Sequence, residues 1–171
     1  YGAPRFAELL REVGNSGIAR LRFATSHPKD LSDETIAAMA EVKSVMPALH
    51  LPAQSGSSRI LKMMNRTYDR EAYLQLVDKI KAAVPGIALS TDLIVGFPGE
   101  TEEEFAELLE FIKTCPFDRL GAFAYSEEEG TPAAAREDQV PLRVRRSSEG
   151  KIMREQKKIS RAFNESRVGS E

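Results

Sequence analysis

Residues 87–105, IALSTDLIVGFPGETEEEF, constrain the fold more than any other part of this chain. They pass from a long alternating apolar run, through a Gly-Phe-Pro-Gly turn, directly into an acidic helical pattern. Leu89, Leu93 and Val95 share one phase of the run, while Ser90, Asp92, Ile94 and Gly96 share the other. That is the signature of a strand with two unlike faces. Thr101 followed by Glu104 reads as a capping box, and Phe105, Leu108, Leu109 and Ile112 form the buried stripe of the helix that follows. A strand that feeds a helix this closely belongs to a β–α unit.

The same alternation recurs along the chain. Phe6, Leu9, Leu10 and Val13 follow helical spacing behind Pro4, and RLRFA (20–24) alternates like a strand. Ser32 is the expected N-cap of a helix that turns Ile36, Met39 and Ala40 inward. ALHL (48–51) is a short strand, and Tyr73, Leu76, Val77, Ile80 and Val84 mark a helix stopped by Pro85-Gly86. FDRLGAFAYS supplies a fourth strand, and a final helix turns Ile152, Gln156, Ile159 and Phe163 to one side. Such alternation predicts an α/β fold of (β/α) units on a parallel sheet with right-handed crossovers. Four strands fit an open sheet or a cut barrel.

Composition narrows the function classes. The chain has 171 residues, enough for one sizeable core, and no apolar run approaches the length that spans a bilayer. No membrane association is expected. A single cysteine, Cys115, forbids an internal disulfide and makes a reducing, cytoplasmic setting the expectation. With only His27 and His50 beside it, no zinc or iron–sulfur site can be assembled from this chain alone. Tyr1 in place of an initiating Met suggests an excerpt of a longer protein. The net charge of −2 hides an asymmetry: residues 142–168 hold nine Lys and Arg against three Glu. Such a basic helix suits RNA phosphates or a merely solvated face, and its sequence leaves both open.

Each predicted strand ends in a polar or turn-rich segment: Thr25-Ser26-His27, Pro52-Ala53-Gln54-Ser55, residues 96–100, and Tyr125-Ser126-Glu127. In parallel α/β folds these carboxyl ends form the ligand face. Strand phase adds that Arg22, His50 and Asp92 oppose the apolar positions of their strands. A working cavity fits this pattern, and so does a buried Arg22–Asp92 ion pair that only satisfies itself. At the Gly-Phe-Pro-Gly junction, Glu102, Glu103 and Glu104 crowd the helix start and Pro98 offers no N–H. A polyphosphate would meet like charge there, whereas hydroxyl or ammonium groups suit it.

LHLPAQSGSSRILKMMNR, ALSTDLIVGFPGETEEEF and FDRLGAFAYSEEEGTPAA together resemble the radical S-adenosylmethionine (SAM) methylthiotransferase family over nearly the whole chain. RLRFATSHP and LHLPAQSGS are most similar to the branch that methylthiolates N6-prenylated adenosine of tRNA beside the anticodon. FDRLGAFAYSEEEGTPAA and DQVP lean toward the branch that modifies an aspartate of a ribosomal protein. The resemblance implies a partial (β/α)6 TIM-like barrel of which this chain holds the last four strands, in residues 1–141. Residues 142–171 would then be a basic helix and the start of a linker to an RNA-binding TRAM domain. It implies SAM and 4Fe–4S clusters as cofactors of the parent protein, with the cluster cysteines outside this chain, so that the chain alone is expected to be inactive. Its partner would be tRNA or, in the other branch, a ribosomal protein; the oligomeric state is left open. By motif position, Gln54, Ser55, Asp92, Tyr125 and Ser126 are the expected SAM or cavity residues, with Arg22, His50 and Arg59 as further candidates. A non-catalytic RNA- or protein-binding module is the competing class.

Overall fold

The computed structural model describes residues 5–24 and 27–169. Pro4 and the Thr25-Ser26 strand end lie outside them. Three strands, β1 (Ala48–His50), β2 (Ala88–Val95) and β3 (Arg119–Ala124), form one parallel sheet in the order β1-β2-β3. Around it stand α1 (Phe6–Gly14), α2 (Asp33–Glu41), α3 (Ser58–Met63), α4 (Arg70–Ala83), α5 (Glu102–Thr114) and α6 (Leu142–Ser166). The expected RLRFA strand is reduced to a single parallel bridge, Leu21 with Val45, closed by hydrogen bonds to Ser44 and from Met46. This segment therefore stands outside the three-stranded ladder, tied to the residues just before β1.

Sequence explains most of the elements. Ser32, Ser57, Asp69 and Thr101 each accept a hydrogen bond from a backbone N–H of the helix they open, and Thr101 with Glu104 completes the capping box. Helix α4 ends just before Pro85-Gly86, where Gly86 takes a left-handed turn at φ +77. Burial in β2 alternates without a break. Leu89, Thr91, Leu93 and Val95 face the helices, joining Tyr73, Val77 and Ile80 of α4, Leu108, Phe111 and Ile112 of α5, and Ile152 of α6 around the core.

Two inward faces differ from expectation. In α2, Ala40 is exposed while Thr35 and Ala38 are buried, because α1 packs across that side and Leu10 and Ala7 meet Ala38 there. In α1, Phe6 and Leu9 remain exposed, since α2 with Leu21 and Phe23 covers one side of the helix among the described residues. Helix α6 packs along β3, with Gln156 donating to the Phe117 carbonyl at 2.8 Å. No helix among the described residues is long and apolar enough to cross a membrane.

Candidate functional site

The carboxyl ends of β1, β2 and β3 lie at one end of the sheet because the strands are parallel. The turn after β1 is heavily braced. Tyr73 Oη donates to the Leu51 carbonyl at 2.7 Å, and Tyr68 Oη donates to the Pro52 and Ala53 carbonyls. Thr91, buried in β2, donates to Leu51 O and accepts from the Ala53 N–H, both at 2.9 Å. Gln54 then pairs with β2 through both its N–H and its carbonyl and is held at φ +68. Glutamine pays a conformational penalty in that left-handed region, which persists only where surroundings over-determine it. Ser55 is buried, and its Oγ accepts from the Ser57 N–H, so its hydroxyl serves the turn.

On the sheet face turned away from the helices, His50 and Asp92 meet. His50 Nε2 stands 3.4 Å from Asp92 Oδ2, and Nδ1 lies 3.0 Å from Ser90 Oγ. A tautomer that carries its proton on Nε2 accepts from Ser90 at Nδ1 and turns its N–H toward Asp92. The Asp92 side chain remains 41% exposed, so its carboxylate is oriented by protein yet open to a ligand. Gly121, its register partner on β3, makes room for it: a Cβ there would stand 2.8 Å from Asp92 Oδ1. The same Cβ would stand 3.0 Å from Phe123 Cε2, so the Phe123 ring, 55% exposed, borders the carboxylate. Arg22 is exposed and makes no hydrogen bond or ion pair among the described residues. The self-satisfying Arg22–Asp92 pair does not form; His50 takes that place.

The junction at residues 96–99 is closed by its own carboxylates. Glu100 Oε2 accepts from the Gly96 N–H at 2.6 Å, while burial pushes the carboxyl up to about 7 against that bond. Glu104 behaves oppositely. Burial raises it too, but hydrogen bonds from Arg59, the Thr101 N–H and Ser57 outweigh burial and hold it below its ordinary value. Arg59 donates from Nε to Glu104 Oε1 and from Nη2 to Glu104 Oε2 and the Gly99 carbonyl, each at 2.6 Å. Its guanidinium is thus committed to clamping α3 onto the start of α5, apart from His50 and Asp92. With Glu104 filling the α5 N-terminus, that end offers nothing to a phosphate.

After β3, the Tyr125 N–H donates to the Val95 carbonyl at 2.9 Å and its ring meets Phe97 edge-on at 5.4 Å. Ser126 is exposed. Arg145, counted in the sequence with the basic face of the last helix, is instead buried at the site. It donates to the Val140 and Tyr125 carbonyls, to Gln139 and to Glu127, and lies over the Tyr125 ring at 5.2 Å. A Cβ at Gly96 would come within 2.5 Å of its chain, so α6 closes directly on the end of β2. The Tyr125 hydroxyl and Glu100 Oε1 are buried with no hydrogen-bond partner among the described residues. Arg66 Nε, Asp118 Oδ1 and Gln156 Oε1 are likewise unpartnered elsewhere, so these two are notable for standing beside one set of strand ends.

Sequence reasoning missed Gly121 and Arg145, and reached Glu100 only as part of the 96–100 strand end. Gly121 carried a signal, a lone glycine inside a strand, which marks close approach. A cleft of about 840 Å³ between α1 and the approach to α2 is lined by Phe6, Phe23 and Lys29 but by none of these strand-end residues. It is the seam left where α1 is half covered.

The donor set suits SAM, whose hydroxyls and ammonium group match an open, oriented carboxylate. It does not suit an iron–sulfur cluster: Cys115 is buried in the core, and no group of three or more His, Cys, Asp or Glu able to hold a metal occurs among the described residues.

Comparison with known proteins bears on the fold and the family. Coproporphyrinogen III oxidase from Escherichia coli, a radical SAM enzyme, superposes with a TM-score of 0.63 at 21% identity, over 88% of this chain and 34% of its own. That likeness shows the fold. Proteins named tRNA-2-methylthio-N(6)-dimethylallyladenosine synthase are similar in sequence. The one from Acetivibrio thermocellus is 52% identical over 96% of this chain and 34% of its own length. Those from Clostridium botulinum and Thermobifida fusca are 51% and 47% identical over 96% and 97% of this chain, and 37% and 34% of theirs. The chain thus spans about a third of the length of the curated relatives it matches. The Radical SAM superfamily profile matches residues 2–112, and the chain belongs to that superfamily.

Proposed function

We propose that this chain forms the SAM- and substrate-facing wall of a radical SAM methylthiotransferase that acts on N6-prenylated adenosine of tRNA. The observation that carries the reading is the open Asp92 carboxylate, oriented by His50 and given its space by Gly121, beside the braced left-handed Gln54. The name shared by relatives about half identical over nearly the whole chain supports the tRNA substrate. Asp92 and Gln54 would bind SAM by its hydroxyl and ammonium groups, and Tyr125 with Phe123 would border its ring. Bound there, one SAM would supply the methyl group and a second, with electrons from a cluster held outside this chain, the radical chemistry, the sulfur coming from a further cluster also outside this chain. His50 would keep Asp92 aimed; Tyr68, Tyr73 and Thr91 keep the Gln54 turn rigid. The parent protein is expected in the cytoplasm, where its tRNA is.

A strain deleted for the parent gene tests the substrate. Loss of the methylthio group from tRNA adenosine, restored by the full-length gene, supports the reading. Unchanged tRNA together with a ribosomal protein lighter by one methylthio group would assign the chain to the other branch.

A further inference from the structure

Helix α6 turns Arg145, Ser148, Ile152 and Gln156 inward, all buried. Arg143, Arg146, Arg154 and Lys157 lie on the opposite side, within roughly 80° of one another at 3.6 residues per turn. All four are exposed, and none makes an ion pair or hydrogen bond among the described residues. Lys158 and Arg161 beside them are by contrast tied to Glu155 at 2.9 Å and Glu165 at 2.7 Å. The unpaired cations cover roughly 21 Å of helix. Like charges three apart, Arg143 with Arg146 and Arg154 with Lys157, weaken a helix in isolation, so the stripe does nothing for α6 itself.

The neighbouring helix sharpens the contrast. Helix α5 packs beside α6 and exposes Glu102, Glu103, Glu107 and Glu110, yet no ion pair joins the two helices among the described residues. Charge is segregated rather than neutralised, an arrangement that orients a charged partner.

We infer that the outward stripe of α6 docks on the phosphate backbone of RNA, with acidic α5 repelling that backbone and fixing the side of α6 along which it runs. Such contacts position the nucleic acid without reading its bases. The inference rests on the tRNA substrate proposed above. It is tested in the full-length protein by measuring binding of a tRNA transcript between about 50 and 200 mM salt. Neutralising three contacts in R143Q/R154Q/K157Q is expected to make the salt slope shallower by about 2 to 3. Over that fourfold salt range the wild type then loses about thirtyfold more affinity than the variant. The charge-retaining R143K/R154K is expected to keep the wild-type slope, and E102Q/E103Q is expected not to weaken binding. A wild type that binds tRNA while the triple variant keeps its slope and affinity overturns the surface and leaves the substrate standing. A wild type that binds no tRNA overturns both. Loss of affinity for a ribosomal protein with tRNA binding unchanged overturns the RNA assignment and gives the stripe to a protein partner.

Discussion

Along β2, Leu89, Thr91, Leu93 and Val95 turn toward the helices and are sealed from solvent, whereas Ser90, Asp92 and Ile94 turn the other way and stay half-open. Both faces descend from one alternating sequence, yet different forces hold them. On the sealed face, burial of apolar surface dominates, and even the Thr91 hydroxyl is spent on the backbone of the next turn. On the open face the contacts are polar, few and directional: His50 to Asp92 and to Ser90, with glycine at position 121 leaving the space. Damage to the first face should therefore cost stability, and damage to the second should cost ligand chemistry.

The largest effect expected on that contrast is at Leu93. Leu93→Ala removes a fully buried side chain at the middle of the core and should cost about 2–5 kcal/mol. Thermal or denaturant unfolding of the full-length protein checks it, and the protein that remains folded should still bind SAM. Gly121→Ala attacks the other face. The new methyl group would push on Asp92, and a misplacement of that kind costs on the order of 10²-fold in activity. SAM cleavage should fall while the melting temperature hardly moves; equal cleavage would show that the carboxylate has room to spare.

Glu100 sits between the two regimes, since it belongs to the site turn but is buried. Its carboxyl in the folded protein is raised from 4.5 to about 7. The stabilisation from the protonated form is fully present below 4.5 and is lost as pH rises through about 7. The wild type should therefore lose stability relative to Glu100→Gln across that window, seen as a widening gap in melting temperature. A constant gap would place the carboxylate in water. The smallest effect belongs to Thr101→Ala, which removes half of the capping box and should cost about 1 kcal/mol with SAM cleavage unchanged.

The contrast between faces was legible in the sequence because it is local. Period-two alternation in residues 88–95 and the spacing from Thr101 to Glu104 depend on neighbours a few residues away. Partners set by long-range packing were not legible. Asp92 was placed on the open face, but its partner proved to be His50 rather than Arg22, a choice made by strand register. Arg59 was expected near the cavity, and Glu104, far along the chain, holds it. Arg145 was hidden in a run of basic residues; only the packing of α6 on β3 and on Gly96 shows that it is buried. RLRFA alternates as well as any strand, yet alternation reports two faces and not a neighbour long enough to pair with.

Asp92→Ala in the full-length protein puts the central claim to its most direct test, with SAM cleavage and thermal unfolding measured on the same preparation. Cleavage should disappear while the unfolding midpoint stays near that of the wild type. Undiminished cleavage, or a fall in midpoint as large as that of Leu93→Ala, would contradict the claim.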